Sequence, residues 1–206
     1  MLSRLPILVQ FRWQPSYSLW LFVLLLSAAL QATGQVQAWR FDRGLIAQGE
    51  VWLLFSGHFV HLNWIHWALN MAGLGIVAFF FSPYASLRQW LWVIFCAALF
   101  SGLGMYWRDP ELQTYVGLSG VLHGLFIFGA LREIRHYPAS GYVLLALLLG
   151  KLAWEAVYGP LPGSEALTRG RVATDAHLYG ALGGGVAALL LTTRALLHQL
   201  VEIKNR

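Results

Sequence analysis

Apolar residues run along this chain in blocks, separated by short clusters of glycine, proline and charge. The blocks fall at about residues 17–34, 61–81, 87–106, 115–131, 141–158 and 174–197, and the punctuation at 35–60, 82–86, 107–114, 132–140 and 159–173. A membrane-spanning helix needs about 20 mostly apolar residues. The pattern therefore predicts an all-α, polytopic membrane protein, a bundle of six helices forming one domain over residues 1–206. Segment 35–60 is the longest loop, and its Trp39, Phe41, Trp52, Phe55 and Phe59 place it in the membrane interface rather than in water.

Composition narrows the class further. Hydrophobic residues make up 58% and charged residues 11% of the chain, against roughly a quarter charged in soluble domains. A soluble globular fold is excluded. The net charge is +5, but the basic residues are scattered over loops and termini, which reads as a topology signal and not as a nucleic-acid patch. With six helices both termini share a side. That side would carry Arg4, Arg12, Arg88, Arg132, Arg135, Arg194, Lys204 and Arg206, and the other side Arg40, Arg43, Arg108, Arg169 and Arg171. The excess puts both termini inside. No cleavable signal peptide is expected, because no small-residue cleavage site ends the first apolar block. The single cysteine, Cys96, has no partner for an internal disulfide.

A few polar residues interrupt the apolar blocks. A serine or histidine costs free energy in lipid unless something uses or satisfies it. Ser119 falls near the start of the fourth helix, His177 near the start of the sixth, and His66 and Asn70 near the start of the second. These three helices all begin at the outer face, so at 1.5 Å rise per residue the four side chains share a depth of roughly 5–12 Å. A serine hydroxyl becomes a nucleophile when a base takes its proton, and His177 is the base at matching depth. Gly117, Gly120 and Gly124 on one helix and Gly180 and Gly184 on the other let the two pack closely. No carboxylate is placed as a third member: Asp175, two residues from His177, points to another face. The expected arrangement is a Ser–His dyad. Acyl transfer also needs donors aimed at the developing oxyanion. His66 and Asn70, four apart on one helical face, supply them with the Ser119 N–H; the plainer reading of that pair is interhelical hydrogen-bonding glue.

Gly117-Leu118-Ser119-Gly120 resembles the G-x-S-G motif of the rhomboid intramembrane proteases. Ala176-His177, followed by Gly180 and Gly184, resembles the family's A-H-x-x-G-x-x-x-G helix, and His66 with Asn70 its H-x-x-x-N segment. Gly49-Glu50-Val51-Trp52 with His61-Leu62 is similar to the stretch leading into that helix. The resemblance runs from residue 49 to about 185 and implies an intramembrane serine endopeptidase with no cofactor and no metal. Where many members have a tyrosine four residues after the serine, this chain has His123. With the compact six-helix size, that substitution is most similar to the rhombosortase subfamily. The resemblance implies substrates that are transmembrane proteins with a C-terminal Gly-Gly, apolar helix and basic tail. It also implies a bacterial inner membrane, an active site open to the outer face, contact with membrane lipids, and an acyl-enzyme resolved by water or by an amine. The competing readings are a general rhomboid protease, an inactive rhomboid-like client binder, and a transporter or channel; no internal repeat favours the last.

The other polar positions have simpler expectations. Lys151 and Glu155, four apart in the fifth helix, neutralise one another, and a Ser119–Lys151 dyad is the weaker alternative to Ser119–His177. His58, His61 and His66 lack the companions of a metal site, and His58 and His61 are expected at the interface by the site's mouth. Arg40, Asp42 and Arg43 are expected in the interface, Arg169 and Arg171 as solvated loop charges, and Asp175 as a helix cap. His123, one turn below Ser119, either orients His177 or helps bind substrate, or else is a buried histidine bonded to a neighbouring helix.

Overall fold

The structure, a computed structural model, describes residues 14–204; Arg4, Arg12 and Arg206 of the charge argument lie outside the described residues. Six long helices carry it: α1 (Pro15–Ala32), α5 (Trp64–Phe81), α6 (Leu87–Arg108), α7 (Ser119–Glu133), α8 (Pro138–Tyr158) and α10 (Thr174–Lys204). The first loop folds into α2 (Val36–Trp39), β1 (Phe41–Asp42), α3 (Arg43–Ala47) and α4 (Leu53–Ser56); β2 (Thr114–Tyr115) precedes α7 and α9 (Ser164–Thr168) precedes α10. The helix starts have local causes. Pro15 and Pro138 sit at first-turn positions, where no amide hydrogen is needed. Asn63 accepts from the His66 N–H, and Ser86 and Gln89 form a capping box.

Five of the six are long and apolar enough to cross a membrane. The exception is α7, which starts at Ser119 and not near residue 115 as the apolar run predicts. Tyr115 instead pairs with Phe41 in a two-stranded antiparallel ribbon, and Gly117 at φ +124° turns the chain into the helix. That backbone conformation favours glycine. At 15 residues, α7 is about 22 Å long. It packs against α5, α6, α8 and α10, so neighbouring helices and not lipid set the length it needs.

The tightest seam is between α7 and α10. A methyl group added to Gly180 would overlap the Gly120 carbonyl oxygen, and one added to Gly184 would overlap the Gly124 carbonyl oxygen. The two backbones are in contact. At the other end of the core, Trp90 lies edge-on to Trp20 and to Phe128, with ring centroids 5.1 Å apart in each pair. The Trp20 indole donates to Ser82 Oγ at 2.8 Å, which ties α1 to the end of α5.

The first loop is more structured than an interfacial strap. Trp39 and Trp52 face outward while Phe41, Leu53 and Leu54 are buried. Arg43, expected in the interface, has partners that the expectation did not name. Its guanidinium donates to the carbonyls of Met105, Tyr106, Asp109 and Leu112 at 2.6–2.9 Å, so it closes the C-terminus of α6. Cations suit that end of a helix, where carbonyls lack intrahelical partners. Removing the fork in Arg43→Met is expected to cost about 3 kcal/mol, given the strength of charge-assisted hydrogen bonds. Thermal unfolding in detergent against wild type checks this, and an unchanged Tm would refute it.

Candidate active site

Ser119 is the first residue of α7 and His177 lies in the first turn of α10. The glycine seam holds these ends together, and His177 Nε2 is 2.9 Å from Ser119 Oγ. His66 and Asn70 of α5 face the same place: a Cβ built on Gly117 would be 2.8 Å from His66 Nε2 and 3.8 Å from Asn70 Nδ2. Leu62 N–H donates to His66 Nδ1 across a long 3.5 Å, which leaves the His66 proton on Nε2, toward the cleft. Asn70 uses one amide hydrogen on the His66 carbonyl at 3.1 Å and has a second to offer. The four side chains line a cavity of about 290 Å³ together with Tyr115, His123, Lys151, Glu155 and Arg171.

Two residues support the turn before Ser119: Tyr115, which sequence reading did not single out, and His58. The buried Tyr115 hydroxyl donates to the Gly117 carbonyl at 2.6 Å, and burial pushes its pKa up to about 12. His58 lies against the Tyr115 ring at 5.5 Å and bonds through Nε2 to the Ala98 carbonyl at 3.2 Å. His58 and His61 are therefore fully buried and not at an exposed mouth. They are fixed there by the loop fold, which apolar patterning does not report. Burial lowers the pKa of His58 to about 4 and that of His61 to about 3. Both folded values lie below the unfolded value near 6.5, so stability is full above pH 6.5 and falls as pH drops from there toward 4. For His58 the shift is on the order of 3 kcal/mol. Tm measured between pH 7.5 and 4.5 is expected to fall steeply, and less steeply in His58→Phe; equal slopes would refute the assignment.

The expectation of a pair without a carboxylate does not match the geometry. Glu155 Oε2 is 2.9 Å from His177 Nδ1, while Oε1 accepts from Lys151 Nζ at 2.6 Å. Lys151 and Glu155 do pair within α8, but a carboxylate has two oxygens and each can accept more than one hydrogen bond. The signal was present in the sequence as an acid with spare acceptors at a helix end; which helix it meets depends on the rotation of α8. Lys151 Nζ also lies 2.9 Å from His123 Nε2, and His123 Nδ1 2.7 Å from the Ser119 carbonyl. His123 thus touches a neighbouring helix and stacks on His177, centroids 4.2 Å apart and planes 13° from parallel. Ligating atoms of His123, Glu155 and His177 lie within 4.8 Å of one another, as in a metal site, but the Lys151 ammonium stands among them. Asp175 lies in the first turn of α10, where its charge suits the positive helix end.

Arg171 is exposed and lines both this cavity and an adjoining polar one bounded by Gln31, Arg40, Glu111 and Gln113. On the lipid side, an apolar groove between α5 and α8, bounded by Gly73, Ile76, Phe126 and Leu147, reaches His123 and Lys151.

The fold and these side chains define a multi-pass membrane protein with a serine and a histidine in hydrogen-bond contact inside the helical bundle. The sequence profile of the Rhomboid domain matches residues 48–194, and the chain belongs to the rhomboid family, a family of intramembrane serine proteases. It is also similar to an uncharacterized protein of Mycobacterium leprae (strain TN), 29% identical over 167 residues that cover 74% of this chain and 62% of that protein.

Proposed function

We propose that the chain is an active intramembrane endopeptidase of the rhombosortase type, removing C-terminal Gly-Gly, transmembrane and basic tail signals from exported proteins at the outer face of a bacterial inner membrane. The observation that carries the catalytic part is the 2.9 Å contact between Ser119 Oγ and His177 Nε2 in a cavity that also holds His66 and Asn70. Ser119 Oγ attacks the scissile carbonyl carbon and its proton passes to His177 Nε2. The carbonyl electron pair moves to oxygen, where the Ser119 N–H, His66 Nε2–H and Asn70 Nδ2–H donate to it. Ser119 opens α7, so its N–H has no partner within that helix. His177 then protonates the leaving amine as the C–N bond breaks. A second nucleophile, water or an amine, releases the acyl group by the reverse route.

The tail-processing part rests on the resemblance of Gly117–Gly124 to the rhombosortases, with His123 in place of the tyrosine of many rhomboids. A Gly-Gly pair also suits the chemistry, because glycine is a poor helix former and unwinds readily to present its amide. The experiment is co-expression with a reporter ending in Gly-Gly, an apolar helix and a basic tail, read by intact mass in wild type, Ser119→Ala and His177→Ala. Cleavage in wild type alone supports the proposal, and the mass of the new C-terminus distinguishes hydrolysis from amine transfer. An intact reporter in wild type overturns tail processing. Equal cleavage in all three overturns the assignment of Ser119 and His177.

A further inference from the structure

Glu155 does more than neutralise Lys151. Resting on Ser119 and His177 as nucleophile and base, we infer that Glu155 is the positioning carboxylate of His177, held in place by Lys151, so that the site works as a Ser–His–Glu triad braced by His123. Five residues on three helices close a ring. Ser119 Oγ meets His177 Nε2 at 2.9 Å, His177 Nδ1 meets Glu155 Oε2 at 2.9 Å, and Glu155 Oε1 meets Lys151 Nζ at 2.6 Å. Lys151 Nζ meets His123 Nε2 at 2.9 Å, and His123 Nδ1 returns to the Ser119 carbonyl at 2.7 Å.

The direction of every hydrogen bond in the ring follows from its fixed members. An ammonium only donates and a carbonyl only accepts, so His123 carries its proton on Nδ1 and takes one from Lys151 at Nε2. The ionised carboxylate of Glu155 only accepts, so His177 carries its proton on Nδ1. Nε2 is left with a lone pair aimed at the Ser119 hydroxyl, the tautomer a general base needs. The other tautomer would place two acceptors face to face. Without Glu155, the Lys151 ammonium, 3.4 Å from His177 Nδ1, would favour a bare Nδ1 and put the proton on Nε2, the wrong tautomer for a base. The His123 ring, stacked 4.2 Å away and nearly parallel, covers one face of His177 and resists its rotation.

Charge balance supports the same role. At rest Lys151 and Glu155 cancel and both histidines are neutral. When Ser119 attacks, the oxyanion and the His177 imidazolium appear together, and Glu155 lies against the imidazolium while Lys151 stays beside its other oxygen. No step leaves an isolated charge in a region where isolated charges are costly. A carboxylate present only to neutralise Lys151 would need one oxygen; the second is spent on His177, and Glu155 and His177 are buried at 6% and 5% exposure.

The test measures phosphonylation of the full chain in detergent by a fluorescent fluorophosphonate, which transfers phosphorus to an activated serine with loss of fluoride. Wild type is expected to label and Ser119→Ala not to. Glu155→Gln is expected to slow the maximal labelling rate ~10²–10⁴-fold, the range seen when the orienting acid of another serine protease becomes an amide, with the half-saturating probe concentration unchanged. Because Glu155→Gln strands the Lys151 charge, the double variant Glu155→Leu/Lys151→Met is measured too; it removes both charges and offers His177 no acceptor, and is expected to be slowed similarly at a Tm close to wild type. Labelling of either folded variant at the wild-type rate, or a change confined to half-saturation, overturns the role of Glu155 while leaving Ser119 as nucleophile. An unlabelled wild type overturns the nucleophile itself.

Discussion

Alanine in place of His177 is expected to lower turnover about 10⁴–10⁶-fold, as removal of the base does where nucleophile and base act as a unit. The Ser119 hydroxyl lies 2.9 Å from a single base, His177 Nε2, and at neutral pH an alcohol with no base is a poor nucleophile. Ser119→Ala should fall by a similar factor, and the double variant no further, because each single change already disables the pair. The residual rate would come from binding and the oxyanion donors. Folding should survive, since Lys151 still balances Glu155 at 2.6 Å. Cleavage rates of the three variants, with Tm as a check on folding, settle this. A double variant far slower than either single one would mean that the two residues act independently.

The second large effect comes from one methyl group. Gly180→Ala places a Cβ on the Gly120 carbonyl oxygen, and neither the Cβ nor that backbone oxygen can rotate away. The helices must separate, at a cost of about 3 kcal/mol on the scale of overpacked cores. His177 lies one turn before Gly180 and Ser119 one residue before Gly120, so the separation opens at the site itself. A misplacement of about 1 Å can cost 10²-fold in rate. Gly180→Ala is therefore expected to lower both Tm and turnover. Gly185→Ala, whose Cβ would meet only Ile127 at 3.9 Å, is expected to change neither by much. Equal behaviour of the two variants would remove the seam as the element that sets the site.

Much of this architecture was legible because lipid imposes a simple grammar. Apolar blocks of spanning length located the helices, and the glycines of α7 and α10 announced their close approach. Ser119, His177, His66 and Asn70 stood out as polar side chains in apolar surroundings. Less legible was whatever depends on helix rotation or on a folded loop. Glu155 looked satisfied by Lys151 four residues away, and only the orientation of α8 shows that its second oxygen meets His177. Arg43 read as an interfacial charge, since nothing local to it reveals the four carbonyls at the end of α6. The start of α7 was misplaced for a related reason. Tyr115 is as apolar as helix, and a pairing with Phe41, seventy-odd positions earlier in the chain, draws it into a strand.

The shortness of α7 has a chemical consequence. A hydrolase inside lipid must receive two reactants that dissolve in different phases: a greasy helix and a small polar nucleophile. Because α7 begins at Ser119, the polar space over its first turn shares Tyr115, Val116 and Arg171 with the cavity bounded by Gln31, Arg40 and Glu111, while the apolar groove between α5 and α8 reaches the same ring of side chains from the flank. For the peptidase proposed above, the two reactants would arrive by crossing paths and meet at one hydroxyl without exchanging places. On that plan the proposed enzyme would work as a phase-transfer catalyst folded from a single chain, with room for ligands of opposite polarity at one time.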